Sequence, residues 1–301
     1  MARRRKGNPV HGWVVLDKPY GLGSTSAVGK VRRIFTAQKA GHAGTLDPLA
    51  TGILPIALGE ATKTVPFMMD AKKGYEFTLT FGANTDTWDT EGEVTKTSEH
   101  RPNEADILKA LPHFVGAIEQ TPPRFSAIKV DGKRSYDLAR GGQVVALKSR
   151  KVHVERFELL SYDGEQASFE VACGKGTYIR SLARDMAAAL GTCGHVTALR
   201  RTRIGPFTLE ASFSLDALEQ LCHRGGVSGA LRPVETALDD IPVLAITEQE
   251  SIELKHGRAI AISSSKTAAE SAMILAMLGE TAIALCEPAE GHWAPKRVFN
   301  I

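Results

Sequence analysis

The sequence has few cysteines, no long apolar run and little net charge. Its four cysteines are widely spaced among 301 residues and form no C-x-x-C pair, so we expect neither a zinc site nor a disulfide framework. The most apolar late segment, residues 272–286, is interrupted at residues 279–281 and is too short to span a bilayer. The basic N-terminus runs into Gly7-Asn8-Pro9 rather than an apolar stretch, so no secretory signal is expected. We therefore expect a cytoplasmic protein without membrane contact.

The net charge of +3 is too small to identify a nucleic-acid-binding protein by itself. Basic residues nevertheless cluster at residues 3–6, 148–151 and 200–203. Such clusters fit a phosphate-binding face, although any single cluster is more typical of a solvated surface. The composition is that of an ordinary globular protein, and the length suggests two domains.

Hydrophobic periodicity predicts strands and helices in mixed order along the chain. Strand patterns occupy residues 12–16, 75–81, 151–160, 167–173 and 193–203, and helical patterns occupy residues 24–35, 60–69, 177–190 and 212–221. A helix capped by Asn103 is also expected, and a phase change near Glu155-Arg156 predicts a β-bulge. Residues 1–9 are expected to form a disordered basic tail and residues 10–240 the main domain. Short apolar runs at residues 243–246, 259–262, 273–278, 281–286 and 298–301 suggest that residues 243–301 form a small, mostly β domain.

Residues 121–147 are predicted to form a long loop. Its proline-rich start is incompatible with regular structure, and it carries five basic residues, Arg124, Lys129, Lys133, Arg134 and Arg140. Long loops inside compact domains are usually functional or disordered, and the aromatic residues Phe125 and Tyr136 favour ordering on a ligand.

Residues 41–55 hold an acid and an imidazole in a constrained backbone. Three glycines and two prolines surround His42 and Asp47. Because the residue before a proline is driven towards an extended conformation, Asp47 should lie on a stiff turn. An aspartate in such a turn is more often a turn former than a catalytic group, so the stretch alone leaves both interpretations open.

Five motifs, in order from about residue 11 to 208, resemble those of the tRNA pseudouridine synthase B (TruB) family. They are GWVVLDKP at 12–19 with GSTS at 23–26, GHAGTLDP at 41–48 with ATGILP at 50–55, PPRFSAIK at 122–129, GTYIRSL at 176–182, and LRR at 199–201. Any one of these motifs would be a weak signal, whereas five in order are highly specific.

This resemblance implies an α+β pseudouridine synthase fold with a large mixed β-sheet flanked by helices. It further implies that residues 121–147 are a thumb-like loop and that residues 243–301 are a small, mostly β, PUA-like RNA-binding domain. Enzymes of this family isomerise uridine 55 in the T loop of tRNA to pseudouridine without a cofactor or a metal. The expected partner is therefore the T-stem loop of tRNA, and no obligate protein partner is expected.

The resemblance also assigns three catalytic positions. Asp47 matches the reactive carboxylate, which could act as a nucleophile or as a base that removes the 2′ proton. Arg180 matches the residue that pairs with this carboxylate, and a guanidinium favours the ionised form of a neighbouring acid. Tyr75 matches the aromatic residue that stacks on the target base and helps to remove the proton from carbon 5.

Three further positions match substrate-binding residues of the family. Tyr178 and Leu199 match residues that surround the flipped nucleotide, and His42 matches the residue that enters the T loop beside the extruded base. A structural role for His42 within its turn is the alternative.

Other functions compete with this interpretation. A guide-RNA-dependent relative shares the catalytic motifs but needs protein partners, and the continuous thumb-like segment favours a stand-alone enzyme instead. An RNA-binding or tRNA-folding module with incidental catalysis is a second alternative. A hydrolase that uses Asp47 as its nucleophile is a third, but the sequence has no oxyanion motif or metal site to support it.

Overall fold

The structure, a computed structural model, describes residues 7–126, 129–130, 133–136, 147–262 and 271–301. Within these ranges the chain forms a nine-stranded mixed sheet, a five-stranded sheet and two small hairpins. The strands are β1 (Gly12–Lys18), β2 (Ala40–His42), β3 (Thr51–Leu58), β4 (Lys73–Phe81), β5 (Ala83–Thr85), β6 (Val94–Thr97), β7 (Gly116–Gln120), β8 (Lys129–Val130), β9 (Lys133–Arg134), β10 (Arg150–Tyr162), β11 (Gln166–Cys173), β12 (Gly194–Ile204), β13 (Phe207–Thr208), β14 (Val243–Ala245), β15 (Ile260–Ala261), β16 (Ile274–Leu278), β17 (Thr281–Ala289) and β18 (His292–Val298).

Helices flank both sheets. The α-helices are α1 (Ser24–Ile34), α2 (Val65–Asp70), α3 (Glu104–Ala110), α4 (Ile179–Ala189), α5 (Leu215–His223) and α6 (Glu248–Lys255). Shorter 3-10 helices lie at Gly59–Lys63, Leu111–Phe114, Leu209–Ala211, Val227–Ala230 and Val234–Leu238. No helix in the described ranges has the length and apolar character needed to cross a membrane.

The large sheet is mixed because of a single junction. Its strand order is β1-β3-β12-β4-β11-β10-β7, with β2 beside β3 and β13 beside β12. The β3–β12 pair is parallel, with Thr51 beside Arg200 and Gly52 beside Arg201, whereas the other pairs along this order are antiparallel. Together with the five-stranded C-terminal sheet, this confirms the α+β class and the large mixed sheet that the sequence predicts.

One face of the large sheet carries two groups of helices. Arg201 pairs with both Gly52 and Tyr75, so strand alternation places Leu54 and Phe77 on that same face. Over β1 and β3 the face is covered by α1 and α5, through residues such as Val31 and Leu218. Over β4 and β11 it is covered by α4, through residues such as Leu182 and Met186. The chain between β2 and β3 lies between the two groups.

The other face of β1 and β3 packs against the C-terminal sheet. Trp13 and Ile53 lie in one buried cluster with Met68 of α2 and with Leu285 and Phe299 of the C-terminal region. The order of the C-terminal sheet is β14-β16-β17-β18-β15. The two sheets therefore share a hydrophobic core.

Several predicted elements are confirmed. The predicted strands at residues 12–16, 75–81, 151–160, 167–173 and 193–203 correspond to β1, β4, β10, β11 and β12, whereas β2, β3, β7 and β13 of the same sheet were not predicted. The register of β10 against β11 shifts between Val154 and Arg156, which confirms the predicted bulge. The single helix predicted over residues 60–69 is wrong. It is split into a 3-10 helix and α2, because Pro66 has no N–H to donate to the preceding turn and is tolerated only in the first turn of a helix.

The C-terminal domain contains one strand and one helix that its apolar runs do not outline. Strand β18 ends at Val298, where the apolar run of residues 298–301 begins, because the half-exposed strand carries charged residues. Helix α6 was missed although Thr247 and Glu250 form a capping box at its start.

Two predicted segments are described only in part. Residues 1–6 of the predicted tail lie outside the described residues, whereas the N–H of Asn8 donates to the Thr36 carbonyl at 2.7 Å. Residues 127–128, 131–132 and 137–146 of the thumb-like loop also lie outside the described residues. Within that loop, β8 and β9 pair as a hairpin.

Replacing Gly52 by alanine should destabilise the parallel junction. Gly52 has a φ of +95°, and a Cβ atom there would lie 2.2 Å from the backbone oxygen of Arg201. We expect Gly52→Ala to lower the free energy of unfolding by more than about 1 kcal/mol in urea denaturation. Gly29→Ala in α1, where a Cβ atom meets nothing within 4 Å, is the matched control and should raise stability by about 0.5–1 kcal/mol. Equal stability of Gly52→Ala and wild type would contradict this interpretation.

Candidate active site

The turn between β2 and β3 is fixed on both sides of Asp47. The Ser24 hydroxyl, at the start of α1, donates to the Leu46 carbonyl at 2.7 Å and accepts from the Leu46 N–H at 2.9 Å. The Ala50 N–H donates to the Asp47 carbonyl at 3.1 Å. Because both backbone groups of Leu46 are satisfied by one buried side chain, the residue before Asp47 has little freedom to move.

A buried lysine holds the other side of this turn. The ammonium group of Lys18, which is inaccessible to solvent, donates to three backbone carbonyls, those of Pro19 at 3.0 Å, Leu22 at 2.8 Å and Pro48 at 3.1 Å. Burial lowers the pKa of Lys18 to about 8, and the negative charge of Asp47 opposes part of that shift. Lys18 therefore connects the end of β1 to the residue that follows Asp47.

Arg201 links the same turn to Tyr75. Its buried guanidinium donates from Nε to the Ile53 carbonyl at 2.7 Å and from Nη2 to the Gly44 carbonyl at 3.1 Å. Burial raises the pKa of the Tyr75 phenol, while the charge of Arg201 and a hydrogen bond from its side chain lower it in part. One side chain thus fixes the turn and the phenol with respect to each other.

The central contact of the site is a guanidinium between two carboxylates. Arg180, in the first turn of α4, lies 2.8 Å from Oδ2 of Asp47 and 3.2 Å from Oδ2 of Asp89. It also donates to the backbone carbonyls of Thr87 at 2.9 Å and Phe125 at 2.8 Å. The Arg180 side chain is 6% exposed, the Asp89 side chain 11% and the Asp47 side chain 41%.

The two carboxylates have different surroundings. Oδ1 of Asp89 accepts from the Thr87 hydroxyl at 2.6 Å and from the Glu91 N–H at 3.0 Å, so this carboxylate is held by its own loop. Asp47 is instead half exposed at a cleft that is also lined by Leu49, Ala50, Thr90, Val196, Thr197, Ala198 and Leu199. Asp47 is therefore the carboxylate that can reach a substrate.

Some of the site residues predicted from the sequence line the cleft beside Asp47, and others lie close to it. Asp47, Arg180 and Leu199 line the same cleft. Tyr75 lies beside Arg201 in the register of β4 against β12, and Arg201 contacts the turn that carries Asp47. His42 ends β2 five residues before Asp47, at intermediate exposure.

Tyr178 is positioned by its backbone and its ring. It is the residue preceding the first turn of α4, where its N–H donates to the Gln120 side chain at 2.7 Å. The guanidinium of Arg150 lies over its ring, 5.2 Å from the centroid. Tyr178 is thus two residues from Arg180 at the same end of α4.

Sequence reasoning missed three residues of the site. Asp89 lies in a Thr- and Asp-rich stretch that is typical of a loop. Lys18 is part of a turn pattern, and Arg201 is one basic residue in a predicted strand, so neither stands out as a site residue. Both Lys18 and Arg201 lie within the family motifs, and this position in the motifs is the sequence signal that could have identified them. No group of three His, Cys, Asp or Glu side chains in the described part of the chain is arranged to hold a metal ion.

Family models match most of the length of the main domain. Residues 32–179 match the TruB family pseudouridylate synthase N-terminal domain, and residues 180–239 match the tRNA pseudouridylate synthase B C-terminal domain. Together the two matches span more than half of the chain.

Full-length relatives are similar over the whole chain. The tRNA pseudouridine synthase B of Caulobacter sp. (strain K31) is 53% identical over 309 residues, covering 100% of both chains. The protein of that name from Bradyrhizobium diazoefficiens is 52% identical and covers 100% of this chain and 91% of its own length. Among solved structures, a chain of a Cbf5-Nop10-Gar1 complex superposes with a TM-score of 0.71 at 27% identity, covering 96% of this chain and 84% of its own.

The pH dependence of stability should report on Lys18. Between about pH 8 and 10.5 the unfolded chain binds a proton that folded Lys18 has released, so this group makes stability rise with pH. From pH 7.5 to 10.5, the unfolding free energy of wild type should therefore rise relative to that of Lys18→Met by up to about 3 kcal/mol.

Urea unfolding at several pH values measures this difference. Lys30→Met, which removes an exposed lysine of α1, controls for the loss of one positive charge. A difference between wild type and Lys18→Met that stays constant over this pH range would contradict the burial of a charged Lys18.

Proposed function

Because the chain belongs to the TruB family of pseudouridylate synthases, we propose that it converts a uridine of tRNA to pseudouridine with Asp47 as the reactive group. The observation that carries the proposal is the half-exposed Asp47 carboxylate fixed by the buried Arg180 guanidinium at 2.8 Å. The names of relatives about half identical over their whole length support tRNA as the substrate. Within tRNA, the T-loop uridine at position 55 is the target implied by the motifs.

The reaction needs one carboxylate against the sugar of the target nucleotide. The bond between ribose C1′ and N1 of uracil breaks, the base turns, C1′ bonds to carbon 5, and the proton of carbon 5 is replaced by one at N1. Asp47 could attack C1′ and later leave, or it could remove the 2′ proton and return it. In both routes the product is an isomer of the substrate, so no oxidant, reductant or cofactor is required.

Arg180 and Asp89 would hold the Asp47 carboxylate in one orientation for either route. A buried guanidinium is stable only when its charge is compensated, and two carboxylates and two carbonyls surround Arg180. Asp89 contacts Nη1 of the Arg180 guanidinium, and Nη2 faces Asp47. We therefore assign Arg180 to orienting the reactive carboxylate and Asp89 to positioning Arg180.

The remaining site residues would receive the flipped nucleotide. Removing a base from its stack costs a few kcal/mol, which contacts with an extruded base and with its vacated place can offset. Tyr75 would stack on the target uracil and assist the loss of the carbon-5 proton, while Leu199 and Tyr178 would line the pocket. His42, which begins the turn of Asp47, would occupy the T loop beside the extruded base.

The proposed partner is the T-stem loop of tRNA in the cytoplasm, without an obligate protein partner. The similarity to the Cbf5 chain, at 27% identity, keeps the guide-RNA-dependent alternative in view. The relatives named tRNA pseudouridine synthase B match at about twice that identity and support a stand-alone enzyme. A C-terminal PUA-like domain that binds RNA remains part of this proposal.

Asp47→Asn should abolish pseudouridine formation while tRNA binding persists, because the amide keeps the shape of the side chain but cannot act as nucleophile or base. The measurement is tritium release from a tRNA transcript labelled at carbon 5 of uridine, with filter binding of the same RNA. A transcript whose T-loop target is changed from uridine to cytidine is the substrate control. Full turnover by Asp47→Asn would refute the assignment of the reactive group.

A further inference from the structure

Trp88 adopts a backbone conformation that is unusual for a large residue. Its φ is +62°, in the left-handed region, where bulky side chains are rare and glycine or asparagine are favoured. Holding such a residue there costs on the order of 1–3 kcal/mol, and conformations of this kind cluster at functional sites. Trp88 also lies directly between Thr87 and Asp89, which both contact Arg180.

The backbone around Trp88 is held from two sides. Its N–H donates to the Thr85 carbonyl at 3.3 Å, and its carbonyl accepts from the Val196 N–H of β12 at 3.1 Å. These bonds, with those of Thr87 and Asp89 to Arg180, fix the loop against the sheet and against α4. The backbone that carries the indole ring is therefore held by the same contacts that build the candidate active site.

The indole lies against α4, one turn beyond Arg180. The guanidinium of Arg184 is 5.5 Å from the centroid of the Trp88 ring. Arg184 follows Arg180 by four positions, which is about 6 Å along the helix axis. Arg184 also donates to the carbonyl of Thr121, the first residue of the thumb-like loop, at 3.1 Å. The ring thus lies near the start of that loop, and the two residues that follow Trp88, Asp89 and Thr90, line the cleft.

We propose that the half-buried Trp88 ring, backed by Arg184, is a stacking site for an unpaired nucleobase of the RNA substrate adjacent to the target uridine. Unstacked bases of RNA loops bind to aromatic rings and to the planes of arginine guanidinium groups, and here both lie next to the Asp47 cleft. Arg184 also forms an ion pair with Asp185 at 2.7 Å, so stacking, and not an uncompensated positive charge, would hold the base here. This inference rests on the proposed function, since it takes the substrate to be RNA.

A purely internal role is the competing explanation. A cation–π contact between Arg184 and Trp88 contributes about 0.5–2 kcal/mol and could offset part of the backbone strain. In that case removing the ring would lower stability but would leave RNA affinity unchanged. The two explanations therefore differ in a measurable property.

The emission of Trp88 provides a direct test. The chain has three tryptophans, and Trp13 and Trp293 are inaccessible to solvent. A T-arm hairpin RNA titrated into the full-length protein should quench the emission in parallel with filter binding. Trp88→Phe, which keeps an aromatic ring, should lose that signal and bind RNA within about threefold of wild type, a change smaller than the loss of one base–aromatic stack.

Trp88→Asn removes the ring and suits the left-handed backbone. It should weaken RNA binding by about 5- to 150-fold, as expected for the loss of stacking on one base. Circular dichroism and thermal melting check that each variant is folded. RNA binding by wild type without a change in emission, or equal affinity of a folded Trp88→Asn variant, would overturn the inference.

The same samples separate this inference from the proposed function. Carbon-5 tritium release by wild type is measured on the full tRNA transcript alongside the titrations. Release without quenching would overturn the stacking site alone, whereas the absence of release from wild type would overturn the proposed function.

Discussion

The site depends on the burial of one guanidinium between two carboxylates. Arg180 is 6% exposed, and removing a positive charge from water is costly unless negative or polar groups replace the hydration. Asp89 and two backbone carbonyls supply most of that compensation from inside the protein. Asp47 completes it from the cleft side and is 41% exposed. Asp47, the carboxylate proposed to react, is thus paired with a buried guanidinium.

The fold supplies this contact through the parallel junction of β3 and β12. Close approach of the two strands at Gly52 brings Arg201 beneath the turn that carries Asp47. Arg201 and Lys18 both donate to backbone carbonyls of this turn, so its geometry rests on two buried cations from distant parts of the sequence. Helix α1 fixes the turn from one side through Ser24, and α4 fixes it from the other through Arg180.

The sequence predicted the elements and the principal contact better than the supporting contacts. Periodicity located five strands of the large sheet and the bulge near residue 155, but not β3, whose glycine and proline hide the strand pattern. The motifs placed Arg180 beside Asp47, and the two side chains lie 2.8 Å apart. Asp89 was missed because its role depends on Arg180, far away in sequence, while its own stretch is typical of a loop. Helix α6 was missed because its polar residues show no apolar periodicity, although its capping box was readable. Local patterns reveal local structure, whereas ion pairs across the fold require the fold itself.

The most direct test of this account is a double-mutant cycle on Asp89 and Arg180. Single-turnover tritium release from carbon-5-labelled tRNA is measured for Asp89→Asn, for Arg180→Lys and for the double variant. If Asp89 acts through Arg180, the double variant should be no slower than Arg180→Lys alone, within about twofold. Losses that multiply, so that each substitution has its full effect in the presence of the other, would contradict the claim that one bridged guanidinium orients Asp47.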